Sequence, residues 1–527
     1  MLLSGSTVLL FTSLGHYYLW TDEADTALLA IGVWNTGDTS AQIDERNIFA
    51  YQLGAHLRIL KNRYTSPLQY YLAAPMYGLF GRDAYWARFP FALCGLLCVA
   101  MIALWLWRDR AEERMCWLVT LGVLGNVSFF LFCRQCRYYA PAILLTVVVA
   151  YLYCHWNGGR WTLVAISLAA ACLFASHYLA FAALAACALV DYFIWGPPTR
   201  LRGLHNWLLL LVPLVLIGGT VLWIWNPIGK EVFAAGEDRN WFLDRVILSW
   251  WMLRDINACE FGVGTLMLIA PLTGVITRDR RLWRASTALA VYVLGVVIMS
   301  PQPMHLSEFA AVRYVAPLIP LCVFIGACVM AAMTRRLSWF FWLPLAVIAF
   351  GTNVLHHPTT PQRWRATPIW WVGELRQQRT TPTMVIARWI RANVQPGESV
   401  WVQPGYATYP LMYHAPQALY AWQLRYRGDP QFEHLPRIQF YGRAPVDVMI
   451  AMGDGKKAVE TAIARSRRLG VDYHRVATIE RYWDDLIRPE LLWRSFVQNK
   501  NFDSVTESVF IYRRTDSDRT RHGSDAR

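Results

Sequence analysis

Between residues 89 and 355 the chain holds ten apolar stretches of about 16 to 20 residues, and Asp191 is the only charged residue inside them. A hydrophobic stretch of that length spans a bilayer as a helix, because only a helix or a closed barrel satisfies its own backbone in lipid. Residues 2–20 add a shorter first candidate. Asp22 and Glu23 follow it where a signal peptide would need small residues, so it reads as a retained helix. The candidate spans are 2–20, 89–107, 115–133, 138–155, 161–176, 178–195, 207–225, 261–277, 285–300, 314–333 and 338–355. The fold expected is therefore a polytopic α-helical membrane protein with about eleven transmembrane helices. The composition agrees: 55% of the residues are hydrophobic, 16% are charged, and the 26 tryptophans suit membrane interfaces.

The net charge of +14 comes without a basic stripe or a DNA-binding motif, which excludes nucleic acid and points to anionic lipid or an anionic substrate. All eleven cysteines lie between Cys94 and Cys328, so no disulfide framework supports the C-terminal part. Cys133 and Cys136 form a single CxxC at the end of an apolar segment. Without a second pair they read as small hydrophobic residues rather than zinc or redox groups.

Arginine sets the orientation. Short loops around Arg110, Arg160, Arg202, Arg281 and Arg335 are dense in it, and these should be cytoplasmic. The longer loops 21–88 and 227–256 should then face outward, the first with one or two surface helices. Residues 356–527 also fall outside. That tail carries 25 Lys plus Arg against 17 Asp plus Glu. From residue 381 its pattern becomes α/β, with helices at 383–393 and 456–469 and strands at 399–402, 418–422, 446–451 and 509–513. The expected domains are a membrane domain over 1–355, a soluble extracytoplasmic (periplasmic) α/β domain over 356–515, and a disordered tail over 516–527.

Chemically versatile residues collect at the outward helix ends. Asp22, Glu23 and Asp25 follow the first segment; Lys61, Arg63 and Tyr64 come next; Arg134 and Arg137 precede Tyr138; His177-Tyr178 fill one connection; His305, Glu308 and Arg313 fill another. Each cluster alone is most simply a solvated loop or an interfacial anchor. Together they suit binding of a lipid phosphate and activation of a hydroxyl.

The stretches LWTDEAD (19–25), SPLQYY (66–71) with LFG (79–81), RFP (88–90), CRQCRYY (133–139), SHY (176–178) and RYVAPLIP (313–320) occur in this order. In order and spacing they resemble the GT-C glycosyltransferases that use polyprenyl-phosphate-linked sugars, the group of the protein O-mannosyltransferases and the lipid A aminoarabinose transferase. The family often has Lys-Pro-Pro where this chain has Thr65-Ser66-Pro67, so a lysine contact there does not carry over. The resemblance implies a GT-C fold and a catalytic Asp-Glu pair, matched here by Asp22 and Glu23, with the aspartate as base. It leaves Arg134, Arg137, Lys61 and Arg63 to bind the donor phosphate. Tyr64, Tyr138, His177, Tyr178, His305, Glu308 and Arg313 are the remaining substrate contacts.

The function expected is transfer of a sugar from a polyprenyl-phosphate donor to a lipid, glycan or protein acceptor. No motif calls for a cofactor, although a divalent cation is compatible with the chemistry. Two other classes fit the membrane region: a transporter or lipid-linked-sugar flippase, and a surface-polysaccharide ligase or polymerase. Spans nearly free of charge weigh against ion coupling. The one sequon, at Asn126, lies within a candidate span, and the outer domain lacks cysteine. Both facts favour a bacterial cytoplasmic (inner) membrane.

Overall fold

The computed structural model describes residues 1–55, 57–63, 65–196, 203–225, 241–300, 312–356, 358–376, 380–426, 432–481 and 507–515. In chain order, α1 (Leu2–Phe11) and α2 (Thr21–Thr36) precede a small hairpin of β1 (Leu57–Arg58) and β2 (Lys61–Asn62). A run of helices follows: α3 (Leu68–Phe80), α4 (Ala84–Arg108), α5 (Glu113–Gly125), α6 (Val127–Cys133), α7 (Tyr139–Cys154), α8 (Arg160–Ser176), α9 (Tyr178–Ile194) and α10 (Leu204–Trp225). It continues through α11 (Trp241–Thr277), α12 (Arg280–Met299), α13 (Val312–Val315), α14 (Ile319–Met333), α15 (Trp339–Gly351) and α16 (Thr367–Arg376). The rest is α17 (Pro382–Asn393), β3 (Ser399–Gln403), α18 (Thr408–His414), β4 (Leu419–Tyr420), β5 (Val448–Ala451), α19 (Lys456–Arg468), β6 (Tyr473–Arg481) and β7 (Glu507–Arg514).

Two compact units result. One comprises Met1–Ser13, Tyr64–Leu68 and Phe91–Gln377; the other comprises Leu14–Arg63, Gln69–Pro90 and Gln378–Arg527. The division differs from the expected boundary at residue 355, because residues 14–63 and 69–90 group with the C-terminal part.

The first unit is a helical bundle. Among the described residues four helices are long and apolar enough to cross a membrane, or five if the bent pair α5 and α6 is one span. Six further apolar helices of 10–17 residues occupy other expected positions. Among the described residues length and composition alone thus license four or five crossings, and the shorter helices stand at the other positions of the about eleven expected. The expected span 115–133 breaks at Asn126, where the chain bends by 60°. Asn126 Oδ1 accepts the Phe129 N–H at 2.8 Å, so the side chain caps α6 instead of continuing α5. The expected loop 227–256 is helical from Trp241, as the start of α11.

Small residues let these helices approach closely. A Cβ added at Gly262 of α11 would sit 1.7 Å from the Ala349 carbonyl oxygen of α15. One added at Gly122 of α5 would meet Val323 of α14 at 2.6 Å. Val215, Leu216 and Trp223 on α10 stay exposed, an apolar surface that lipid would cover.

The second unit is built on a five-stranded sheet of order β4-β3-β5-β7-β6. β3 runs parallel to β4 and β5, and β7 lies antiparallel between β5 and β6. Every residue of β3 from Ser399 to Val402 is buried, as a central strand covered on both faces requires. Trp401, Trp422, Met449, Val459 and Tyr473 form one core. A second core joins Ala41, Ile48, Leu57 and Leu60 to Leu424, Phe432 and Phe440. Asn47 completes the join: its Oδ1 accepts the Tyr420 N–H at 2.9 Å, and its Nδ2 donates to the Ala418 carbonyl at 3.1 Å. The loop thereby satisfies backbone groups beside β4, an edge strand.

Candidate active site

In the second unit, α2 begins at the carboxylates. Glu23, in its first turn, reaches back to the Trp20 N–H at 3.4 Å, one half of a capping box. Glu23 is fully buried and gives both oxygens to Arg88, at 2.8 Å from Nε and 2.6 Å from Nη2. The other bonds of Arg88 run to the carbonyls of Leu14 at 2.9 Å, Tyr17 at 3.0 Å and Tyr18 at 3.2 Å. One guanidinium therefore fixes both the approach to α2 and its first turn. Asp22 and Asp25, one turn of helix around, remain partly accessible. Their negative charge suits a helix N-terminus. Tyr409 of α18 is buried near them: burial first, then the Asp25 and Asp22 charges, push its hydroxyl well above the usual range.

Lys61 and Arg63 belong to the hairpin side of the same unit, and both engage Asp38. Lys61 Nζ lies 3.0 Å from it, while Arg63 donates twice, at 2.5 and 2.6 Å. Burial alone would raise the Asp38 carboxyl, but Arg63, Lys61 and the Thr39 N–H hold it well below the usual carboxylate range.

In the first unit a basic and aromatic cluster forms where α6 meets α7 and α8 meets α9. The Arg137 guanidinium lies 5.3 Å from the Tyr138 ring centre, and that ring stands edge-on to His177 at 4.8 Å. His177 in turn faces Tyr314 at 6.4 Å. Arg313 covers the Tyr314 ring at 5.0 Å and donates to its hydroxyl at 3.1 Å. Arg137 and Arg313 are both within electrostatic reach of the Tyr138 hydroxyl. His177 caps α9: its Nδ1 accepts the Ala180 N–H at 3.0 Å, which puts the ring proton of the neutral form on Nε2. Tyr178 follows as the first residue of α9, its ring 4.9 Å from Phe174.

Arg134 has a different setting. Its Nη1 lies 3.0 Å from the Leu9, 2.9 Å from the Leu10 and 2.8 Å from the Thr12 carbonyl oxygen. These are carbonyls at the C-terminal end of α1, which have no helical partner and attract a cation. The side chain expected to hold a phosphate thus caps a helix.

The structure therefore gathers Arg137, Tyr138, His177 and Arg313 in one cluster, and Asp22 and Glu23 in another. Tyr64, His305 and Glu308 lie outside the described residues. Among the described residues no group of three or more His, Cys, Asp or Glu could hold a metal ion. Cys133 and Cys136 are both buried. Sequence reasoning missed Arg88, Tyr409 and His414 as parts of these clusters, whereas Tyr314 stands beside Arg313 in an outward connection the sequence already marks. For Arg88 a signal existed in the RFP stretch; for Tyr409 and His414 there was none.

No protein-family model and no curated protein sequence matches the chain. Solved structures do. ArnT from Cupriavidus metallidurans bound to undecaprenyl phosphate superposes with a TM-score of 0.56, covering 97% of this chain and 97% of its own at 14% identity. The apo state of the same protein gives 0.55, with 90% and 95% covered, also at 14% identity. The alignment thus takes in nearly the whole length of both chains. The chain has the fold of ArnT, a lipid A aminoarabinose transferase of the GT-C type.

Proposed function

We propose that this protein is a membrane glycosyltransferase that moves a sugar from a polyprenyl-phosphate donor to a lipid, glycan or protein acceptor. The observation that carries the reading is the fold shared with ArnT over 97% of both chains, in a structure that holds undecaprenyl phosphate. The reaction is placed on the outer face of a bacterial cytoplasmic membrane, with the C-terminal domain extracytoplasmic.

Asp22 is the general base. Its carboxylate takes the acceptor hydroxyl proton as that oxygen attacks the anomeric carbon. The bond from that carbon to the phosphate oxygen breaks, and polyprenyl phosphate leaves with the electron pair. Glu23 serves the base rather than replacing it, since both its oxygens are engaged by Arg88. Arg137 and Arg313 neutralise the phosphate charge that grows as the bond breaks, and a planar guanidinium suits that task. Tyr138, His177 and Tyr178 offer aromatic faces and a ring N–H to the donor. Tyr64, His305 and Glu308 are assigned to the substrates on sequence grounds alone. Arg134, Lys61 and Arg63, already engaged with α1 and Asp38, contribute charge and architecture.

A transporter would need a coupling group within its spans. Asp191 is the candidate, and it is held by Arg284 through both oxygens and by the Tyr153 hydroxyl at 2.7 Å. Such a group is fixed in place rather than poised to bind and release an ion.

Incubating the purified protein with a panel of undecaprenyl-phosphate sugars and candidate acceptors, with products read by mass spectrometry, tests the proposal. Release of undecaprenyl phosphate coupled to a glycosylated product is expected. Movement of intact donor across vesicles without any product would overturn it.

A further inference from the structure

We infer that His414, on α18 of the C-terminal domain, is a positioning residue for the Asp22 carboxylate: it receives the Leu19 main-chain N–H and stacks on Tyr18, and so sets where α2 begins. The inference rests on Asp22 being the base. His414 Nε2 accepts the Leu19 N–H at 2.9 Å, although 395 positions separate the two residues. Its ring lies 3.9 Å from that of Tyr18, at an interplanar angle of 12°. Arg88 already holds the carbonyls of Leu14, Tyr17 and Tyr18, so His414 supplies the complementary hold on an N–H of the same segment. Trp20, the next residue, is the N-cap of α2, and Asp22 lies in the first turn. A displacement at Leu19 passes directly to the carboxylate, and about 1 Å of misplacement of a catalytic group can cost roughly 10²-fold in rate.

The same helix packs along α2 and presents the buried Tyr409 toward Asp22 and Asp25. α18 therefore packs along α2 and, at His414, holds the segment that leads into it. The tie at His414 depends on charge state. Nε2 can accept only when unprotonated. The groups facing the ring are Tyr18, Tyr413, Arg88, Arg391 and Arg82. Three of them are cations, and with burial they disfavour the imidazolium.

The test uses the full-length protein in detergent. Hydrogen–deuterium exchange should show the peptide covering residues 14–25 protected, and His414→Ala should raise its exchange. With undecaprenyl-phosphate sugars as donor, kcat should fall about 10²-fold in His414→Ala while the donor KM stays within about twofold. His414→Gln keeps an acceptor that does not titrate. It should recover most of the protection and the rate, and hold both at acid pH. Should His414→Ala fail to fold, His414→Gln and its pH profile carry the test. Unchanged exchange over 14–25, or wild-type kcat in His414→Ala beside an inactive Asp22→Asn, would overturn the inference. Full activity in Asp22→Asn is the separate result that removes the base assignment itself.

Discussion

Arg88 and Arg134 are both nearly inaccessible, at 1% and 3% exposure, and both donate to main-chain carbonyls. They stand in different units and solve different problems. Arg134 gathers carbonyls at the end of one helix, α1. Arg88 gathers three carbonyls and a fully buried carboxylate, so one side chain links the approach to α2 with the turn that presents Asp22. The comparison separates two uses of charge that look alike in sequence. Glu23, Arg88 and Arg134 are tied into holding backbone; Asp22 is partly accessible, and Arg137, itself buried, lies against the Tyr138 ring.

The sharpest way to break this comparison is Arg88→Ala. It deprives the buried Glu23 carboxylate of its guanidinium, and removing one member of such a pair costs about 3–5 kcal/mol. The expected outcome is loss of folded protein, read as yield and Tm in detergent, with partial recovery in Arg88→Met combined with Glu23→Gln. Arg134→Met should be milder, since it leaves carbonyls rather than a carboxylate without a donor.

Asp22→Asn comes next, and its effect should lie in the rate. General base assistance is worth about 10²–10⁴-fold, so kcat should drop by at least that range. Donor binding should stay within about twofold, and Tm should hardly move, because a helix N-terminal charge at the surface contributes only about 0.3–1 kcal/mol. Near-wild-type turnover would return the base to Asp25, Asp44 or Glu45.

Arg137→Ala should weaken binding of undecaprenyl phosphate by about 10-fold or more, the scale of a lost hydrogen bond to a charged group. Arg137→Lys should recover part of that, since an ammonium lacks the planar fork. Equal affinity in all three proteins would leave the basic cluster without a phosphate role.

Acid should act on the second unit in two windows. His414 has a folded-state pKa held below its ordinary value, by burial first and then by Arg88, Arg391 and Arg82. The unfolded chain therefore takes up the proton first. Stability present above about pH 6.5 falls as pH drops below it, by at most about 1.4 kcal/mol per pH unit. Asp38 is also held low in the folded state, so its contribution persists above the ordinary carboxylate pKa and is lost as pH falls further. A denaturation midpoint flat between pH 7.5 and 5.5 would contradict the His414 part.

Lys61→Ala is the smallest effect expected. Its side chain is 48% exposed, and such a pair is worth less than about 1 kcal/mol. Arg63, which donates to Asp38 twice, should matter more.

Much of the helical framework was legible because a bilayer permits few solutions. Uncharged stretches near 18 residues must be helical, and most expected spans have a helix at their position. The exceptions have local causes. Asn126 offers its own acceptor and splits a span, and α1 stops at Phe11. In sequence α2 reads as a loop start, because two carboxylates stand in its first turn and a third, Asp25, just beyond it. They are stable there through the helix N-terminus and through Arg88, a partner 65 positions away. In the tail, β3, β5, β7, α17 and α19 showed their periods. β6 did not, since Tyr473–Arg481, an edge strand, mixes charged with apolar residues.

By itself, then, the sequence determined that this chain carries apolar helices of membrane type, where most of them and the strands β3, β5 and β7 lie, and which residue types crowd its polar loops. Hydropathy and periodicity are local quantities, and local order carries them. Only the tertiary structure decided that residues 14–63 and 69–90 fold with the tail, that Glu23 is spent on Arg88, and that Arg134 caps α1. It also placed His414 on the Leu19 amide. Each of those pairings spans tens to hundreds of residues, and which opposite charges or donors meet depends on packing that no local pattern records.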